Sequence, residues 1–309
     1  MIIFRKKTYL AKYLMSQFQN GLKASHRRKP MSRKELKILD SATLYCVSGF
    51  RRNYNNRLLK LALISGFLFG FLFAGYIAAE ETKPPFQPGE KFVFKITWGN
   101  ILIGHATLEV LPFAQINDQP AYHFVLSGKT EGVIDRVYPV HTRIDTFTDQ
   151  SLTHSVFVKN RISGRHNKLI TYHFNWEKSL VQRTENGERR MPITILPGTF
   201  DLVSVFFFSR IKPMWENTVH ERPVTDGKKN VLGRMKVVSR ENIMVAGKQY
   251  DTFLIEPETK HIGGVFKKSR NPKIQLWVTA DTRRIPVRAR SEVIVGSFLA
   301  ELISAEGLL

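Results

Sequence analysis

The sequence predicts an all-β fold, mainly antiparallel: a curled meander or open β-barrel of eight or more strands, with one helix plugging it. Three observations carry this. Beyond residue 90 the apolar residues alternate with polar ones at period two, segment after segment. Glycine-containing turn pairs separate those segments, with few helical patterns between them, which argues against βαβ units. One stretch, 198–211, breaks the alternation and reads at helical period.

In chain order, Lys83-Pro84-Pro85-Phe86-Gln87-Pro88-Gly89 is a Pro-rich link. In Lys91–Trp98, Phe92, Phe94, Ile96 and Trp98 share one face and Lys91, Lys95 and Thr97 the other. Gly99-Asn100 is a hairpin signal. Ile101–Val110 follows, then Tyr122–Ser127. Further strand-like runs are Thr142–Thr148, Ser155–Ile162, Leu169–Trp176, Ser179–Thr184, Arg234–Ser239, Thr252–Glu256, Ile274–Thr279 and Pro286–Val295. Asn186-Gly187, Asp226-Gly227 and Ala246-Gly247 supply turns. A meander this long must curl or close to protect its edges and its apolar face. Within Gly198–Ile211, Thr199 is a suitable cap, and Leu202, Val205, Phe206 and Ser209 share a helical face. Asp201 in the first turn and Arg210 in the last match the helix dipole. The segment predicts a helix of about three turns; a buried strand is the rival reading of Val203–Phe208.

The part before residue 80 concerns location. The 309 residues carry 47 Lys+Arg and 26 Asp+Glu, net +21. Residues 1–60 hold net +13 of this and residues 80–309 only +8. Between them, Leu61–Ala79 has no charge and no proline. As a helix it would span roughly 28 Å, near the hydrocarbon thickness of a bilayer. Arg51, Arg52, Arg57 and Lys60 precede it and Glu80 and Glu81 follow it, which places the N-terminus in the cytoplasm and the rest outside. Ile77-Ala78-Ala79 suits signal peptidase. The segment is therefore a signal peptide or a transmembrane anchor. Residues 1–60 read as a basic cytoplasmic extension, or as an upstream extension of a start that lies near Val47. Residues 80–309 read as an exported barrel-like domain in the periplasm or cell envelope.

The single cysteine, Cys46, excludes a disulfide framework and a cysteine-based zinc site. Eight histidines lie beyond residue 80, none paired with another at a metal-ligand spacing. Gly128-Lys129-Thr130 imitates the end of a phosphate-binding loop, but His123 stands where the first glycine belongs, and no helical sequence follows. No nucleophile elbow or metalloprotease motif occurs. No cofactor and no metal are expected. The run His26-Arg27-Arg28-Lys29 is one short cluster without interleaved aromatics, so no nucleic-acid partner is expected.

Candidate site residues fall in three groups. Phe92, Phe94, Trp98, Phe124 and Trp277 are core residues that a barrel too wide to fill itself would turn into pocket lining. Arg143, Asp145, Asp201 and Arg210 could form a buried polar network fixing the helix to a strand; its catalytic version is a carboxylate pair. Lys267, Lys268 and Arg270, after Gly263-Gly264, could contact anionic envelope polymers or lipid headgroups.

The ordered set of signals resembles a known bacterial family, domain of unknown function 3108. It runs from Phe86-Gln87-Pro88-Gly89-Glu90 through Trp98, Ile103-Gly104-His105-Ala106 and Tyr138-Pro139-Val140 to Asp201 and Arg210. It continues with Asp226-Gly227-Lys228, Gly247-Lys248-Gln249-Tyr250 and Leu276-Trp277-Val278-Thr279, then Asp281, Arg284 and Pro286-Val287. The resemblance covers roughly 86–304. It implies an exported β-rich fold and, by the family's name, no established activity. The last motif is similar, more weakly, to the closing strands of periplasmic lipoprotein carriers, whose unclosed barrel shelters acyl chains.

These readings leave three functions open. The first is non-catalytic binding of an amphipathic or lipid-like ligand, or a role in envelope assembly. The second is a periplasmic interaction scaffold. The third is an envelope glycan or lipid hydrolase. The partners expected are lipid or an anionic envelope polymer, and the membrane itself through residues 61–79 if that segment is not cleaved.

Overall fold

The computed structural model describes residues 83–259, 272–294 and 296–309. The basic extension 1–60, the apolar segment 61–79 and Lys267, Lys268 and Arg270 lie outside the described residues. The described chain is mostly strand, in one sheet of sixteen strands that is not closed.

The first half is a meander: β1 (Lys91–Trp98), β2 (Ile101–Ile116), β3 (Gln119–Thr130), helix α1 (Gly132–Val137), β4 (Val140–Asp149), β5 (Ser155–Gly164), β6 (Lys168–Asn175), β7 (Leu180–Glu185) and β8 (Glu188–Arg189). A connecting stretch holds β9 (Ile193–Thr194), β10 (Phe200–Asp201) and helix α2 (Ser204–Arg210). The second half is another meander: β11 (Val219–Thr225), β12 (Asn230–Val245), β13 (Lys248–Pro257), β14 (Lys273–Thr279), β15 (Pro286–Val293) and β16 (Gly296–Glu306). β16 pairs antiparallel with β1, so the two meanders form one sheet with edges at β8 and β10. Neighbours on this path are antiparallel except β10 and β11.

The sheet curls because its two edge regions meet. β9 pairs with β7, β10 pairs with β11, and the Ser155 N–H donates to the Thr199 carbonyl, so residues 193–201 bridge the two ends. The β11–β12 turn also packs on Tyr172 of β6. A Cβ on Gly227 would fall inside the van der Waals shell of the Tyr172 ring, and Gly227 has φ +73°, so this approach requires glycine.

The alternation of aromatics set β1 as expected, and the strand runs up to β7 hold, with β2 running six residues past Val110 and β3 three residues further at each end. Several features differ, among them β11 (Val219–Thr225) and β16 (Gly296–Glu306), strands with no counterpart among the expected runs. β12 is sixteen residues rather than the six of Arg234–Ser239, because a bulge between Val237 and Ser239 breaks period two partway along it. Helix α2 is seven residues and begins at Ser204, because Phe200 and Asp201 pair with Val224 and Thr225 as a short strand. Thr199 does not cap it; its hydroxyl donates to the Leu196 carbonyl. The short helix α1 follows Thr130 where no helix was expected. Thr130 holds it in place by donating to Asp135 Oδ1 at 2.7 Å and accepting the Val140 N–H at 2.9 Å.

Candidate functional site

In an antiparallel meander successive turns alternate between the two ends of the sheet. One end collects the segment before β1, the β4–β5 loop and the β14–β15 loop. Helix α2 plugs this end. Phe207 of α2 stacks on Phe124 with centroids 3.9 Å apart and meets Phe86 edge-on at 5.4 Å. Leu152, Ile285 and Val287 join the same cluster. The other end collects the Gly99-Asn100 turn, α1, the 165–167 turn, Asn186-Gly187 and the Asp226–Lys229 turn.

An ion pair fixes the plug. Arg210 forms two parallel hydrogen bonds with Glu90, Nη1 to Oε1 and Nη2 to Oε2, the latter at 2.9 Å. Its side chain is 0% exposed and that of Glu90 1%. Nη2 also donates to the Arg283 carbonyl at 2.8 Å and Nε to the same oxygen at 3.2 Å. The guanidinium lies 5.2–5.7 Å from the rings of Phe86, Phe92 and Phe207. Helix, link and loop are thus tied by one side chain.

The four residues read as one polar network fall into three places. Arg210 binds Glu90, a residue that sequence reasoning placed in a motif but not in the network. Asp201 is buried and binds hydroxyls: its Oδ2 accepts from Thr146 at 2.5 Å and Ser155 at 2.7 Å. Arg143 and Asp145 do pair, with Nη2 at 2.9 Å and Nε at 3.1 Å, and His123 Nε2 lies 3.0 Å from the same carboxylate. Successive strand residues point to opposite faces, so Thr146 aims at Asp201 and α2 while Asp145 faces the other way. The two aspartates share no cleft, which removes the carboxylate pair on which the hydrolase reading rested.

Burial raises the Asp145 carboxyl, but the hydrogen bonds from Arg143 and His123 outweigh it and hold the group below the usual carboxylate range. Its folded value is therefore lower than its unfolded one. The stabilisation is complete above the ordinary carboxylate range and is lost as pH falls through the folded value. Asp145→Asn is expected to destabilise the protein by at most about 1 kcal/mol at neutral pH, since Arg143 is half exposed. The difference from the parent should vanish in urea titrations carried into acid. A difference that persists unchanged there would contradict the assignment.

Of the five aromatic pocket candidates, Phe92, Phe94, Phe124 and Trp277 lie in the packed core. Trp277 also donates its indole N–H to Glu241 at 2.6 Å. Trp98 alone is half-buried, stacked on Phe298. A surface depression of about 380 Å³ beside the ends of β13 and β14 is lined by other residues, among them Arg234, Lys236, Glu256 and Lys273. Arg234 is paired with Glu221 there and Lys273 with Glu256.

A different set of apolar residues lies between core and open end. On the face that meets α2, burial falls from the helix toward the other end in six strands; β6 is an exception, with Ile170 buried and Tyr172, nearer α2, half-buried. In β1, Phe92 and Phe94 are buried and Ile96 and Trp98 half-buried. In β3 the order is Phe124, then Leu126; in β5, Val158, then Ile162; in β16, Leu302, then Ala300 and Phe298. β4 runs from buried Thr146 to half-buried Ile144, and β14 from Val278 to Leu276 and Ile274. In each of these six strands the covered residue is at the α2 end. The inner face is thus apolar and half covered toward the other end, where Ile101, Leu102, Val133, Val137 and Ile294 are exposed at the rim. Small residues stand in this part: Ala106 and Gly128 face each other in register, and Gly104 is required where its backbone approaches the Lys129 carbonyl.

The fold and this site define a class: a curled β-barrel-like domain plugged by a helix at one end and lined with partly covered apolar residues toward the other. The chain belongs to the family described as Protein of unknown function (DUF3108), whose model matches residues 93–303. It is also similar to a solved structure titled as a beta-barrel-like protein of domain of unknown function DUF1849 from Brucella abortus, with TM-score 0.48 and 11% identity, covering 72% of this chain and 98% of that one. A search of curated proteins finds no match.

Proposed function

We propose that this is an exported cell-envelope protein that holds an amphipathic, lipid-like ligand in the unplugged end of its barrel without transforming it. The observation that carries the reading is the common direction in which Ile96, Leu126, Ile144, Ile162 and Ala300 lose cover. Core positions of a filled barrel would be buried from end to end. Apolar walls open at one end suit an acyl chain, whose burial is favourable by about 0.8 kcal/mol per methylene. The charge-free segment 61–79, with basic residues before it and Glu80 after, supports export. The exposed rim supports a second use of the same end, docking on a membrane or partner protein.

The test is bound lipid. The full chain is expressed in a bacterial host, purified, extracted with organic solvent and the extract analysed by mass spectrometry. Ala300→Trp, which fills the inner face beside Ile96, is treated identically. Stoichiometric amphiphile in the parent and its loss in the variant is the expected result. Equal lipid content in the two, or none, removes the ligand-holding role and leaves the rim as an interaction surface.

A further inference from the structure

Across β5, β6 and β7 the inner face turns from apolar to charged. One row in register reads Ile144, Asn160, Ile170, Glu185, and the next Thr146, Val158, Tyr172, Arg183. Arg183 is 4% exposed. Its Nη2 lies 2.5 Å from Glu185 Oε2, while its Nε is buried and has no hydrogen-bond partner. Lys168 Nζ takes the other Glu185 oxygen. Asn160 Oδ1, on β5 two strands away, is a buried acceptor without a partner and gives an anion no hydrogen bond.

The turn that closes the seam adds a third cation. Gly227 against Tyr172 brings Lys228 beside this cluster. Burial lowers the Lys228 amine, and the nearby Arg183 and Lys168 lower it further. Among the described residues no carboxylate pairs with Lys228 Nζ. Asp226, the nearest acid on the turn, has Oδ1 occupied by the Lys228 and Lys229 backbone N–H groups. Asp201, on the far side of Tyr172, has both oxygens filled by amide and hydroxyl donors. Lys168, Arg183 and Lys228 therefore lie around one carboxylate, Glu185, that is already paired with Lys168 and Arg183 and has Arg190 Nε at 3.9 Å. A buried guanidinium N–H without an acceptor is unfavourable, and a charged oxygen is its strongest partner.

We infer that Lys168 and Arg183 on the inner wall beside Tyr172, with Lys228 on the exposed turn at its edge, form an oxyanion site that takes the acidic head of a single-chain amphiphile. This rests on the ligand-holding reading above and deepens it: the tail lies along Ile144, Leu126 and Ile96, and the head turns toward β7 and the seam. The site is polar on one wall and apolar on the others, the arrangement that orients an amphiphile rather than merely burying it.

The probes are dansyl-labelled undecanoic acid, its uncharged methyl ester, and inorganic phosphate as a competitor and in thermal-shift measurements. The full chain is stripped of bound lipid before titration. The acid is expected to bind about tenfold more tightly than the ester, one charge-assisted hydrogen bond being worth that much. Arg183→Met should erase the preference while leaving ester affinity unchanged; Glu185 keeps Lys168 in that variant. Lys228→Gln, at an exposed turn position, should reduce the preference severalfold without touching the core, and decides the matter if Arg183→Met does not fold by circular dichroism. Acid and ester binding alike would overturn the oxyanion site and leave the amphiphile reading standing. Stabilisation by phosphate with no binding of either dansyl compound would support the site as one for a free anion and remove the amphiphile. No response to any probe removes both.

Discussion

Arg210→Met is expected to destabilise the protein by about 3–5 kcal/mol, the cost of leaving one partner of a buried ion pair alone. The variant keeps side-chain volume and helix propensity but strands the Glu90 carboxylate, 1% exposed, among Phe86, Phe92 and Phe207. It also leaves the Arg283 carbonyl without the Nη2 and Nε donors it has in the parent. Since domains are stable by only about 5–15 kcal/mol in total, the urea midpoint should fall steeply. The double variant Glu90→Met with Arg210→Met should recover most of the loss, because removing both charges removes the desolvation problem. A single variant within about 1 kcal/mol of the parent would show that the plug is held by apolar packing alone.

That residue also shows what the sequence can and cannot convey. Arg210 was legible as a helix-terminal cation because capping chemistry is local. Its partner was not, since Glu90 lies 120 positions away and only the β1–β16 closure brings the link before β1 over the helix. The strands were legible wherever one face is buried and the other wet, as in β1, because period two then appears directly. They were curtailed where a bulge shifts the faces, as at Val237–Ser239 in β12 and between Leu111 and Ala114 in β2. The aromatic pocket candidates were read from the aromatic strand faces of an over-wide barrel. Most of the large side chains fill the plugged end, where the helix supplies partners; toward the other end stand the aliphatic and small residues Ile96, Ala106 and Leu126, with Trp98 stacked on Phe298. The direction of that gradient depends on which end α2 covers, which no local pattern states. The charged wall was missed for the same reason: Lys168 on β6 and Arg183 on β7 come together only through Glu185 once the strands pair.

Asp201→Ala is the other substitution expected to have a large effect, a loss of about 3 kcal/mol. The carboxylate is 3% exposed and has no cation partner among the described residues. It is instead saturated: Oδ1 accepts the Val203 N–H at 2.8 Å and the Ser204 N–H at 3.1 Å, and Oδ2 accepts the Thr146 and Ser155 hydroxyls. Those donors come from β4, β5 and the first turn of α2, so one side chain joins the sheet to the plug beside the seam. Alanine leaves two buried N–H groups and the Ser155 hydroxyl without acceptors, although Thr146 can still bond to Ser204 at 2.7 Å. Asp201→Asn should cost roughly half as much, because its carbonyl can keep the two amides while its NH2 donates to the hydroxyls, which can rotate to accept. Urea titration gives the energies, and hydrogen exchange at Val203 and Ser204 gives the location. Faster exchange at those two amides in Asp201→Ala, with the strand interiors of β2 and β3 protected as before, is the expected pattern. Uniform loss of protection across the sheet would instead mean that Asp201 is required for the fold as a whole. Unchanged exchange at both amides would mean that α2 is anchored by Arg210 alone.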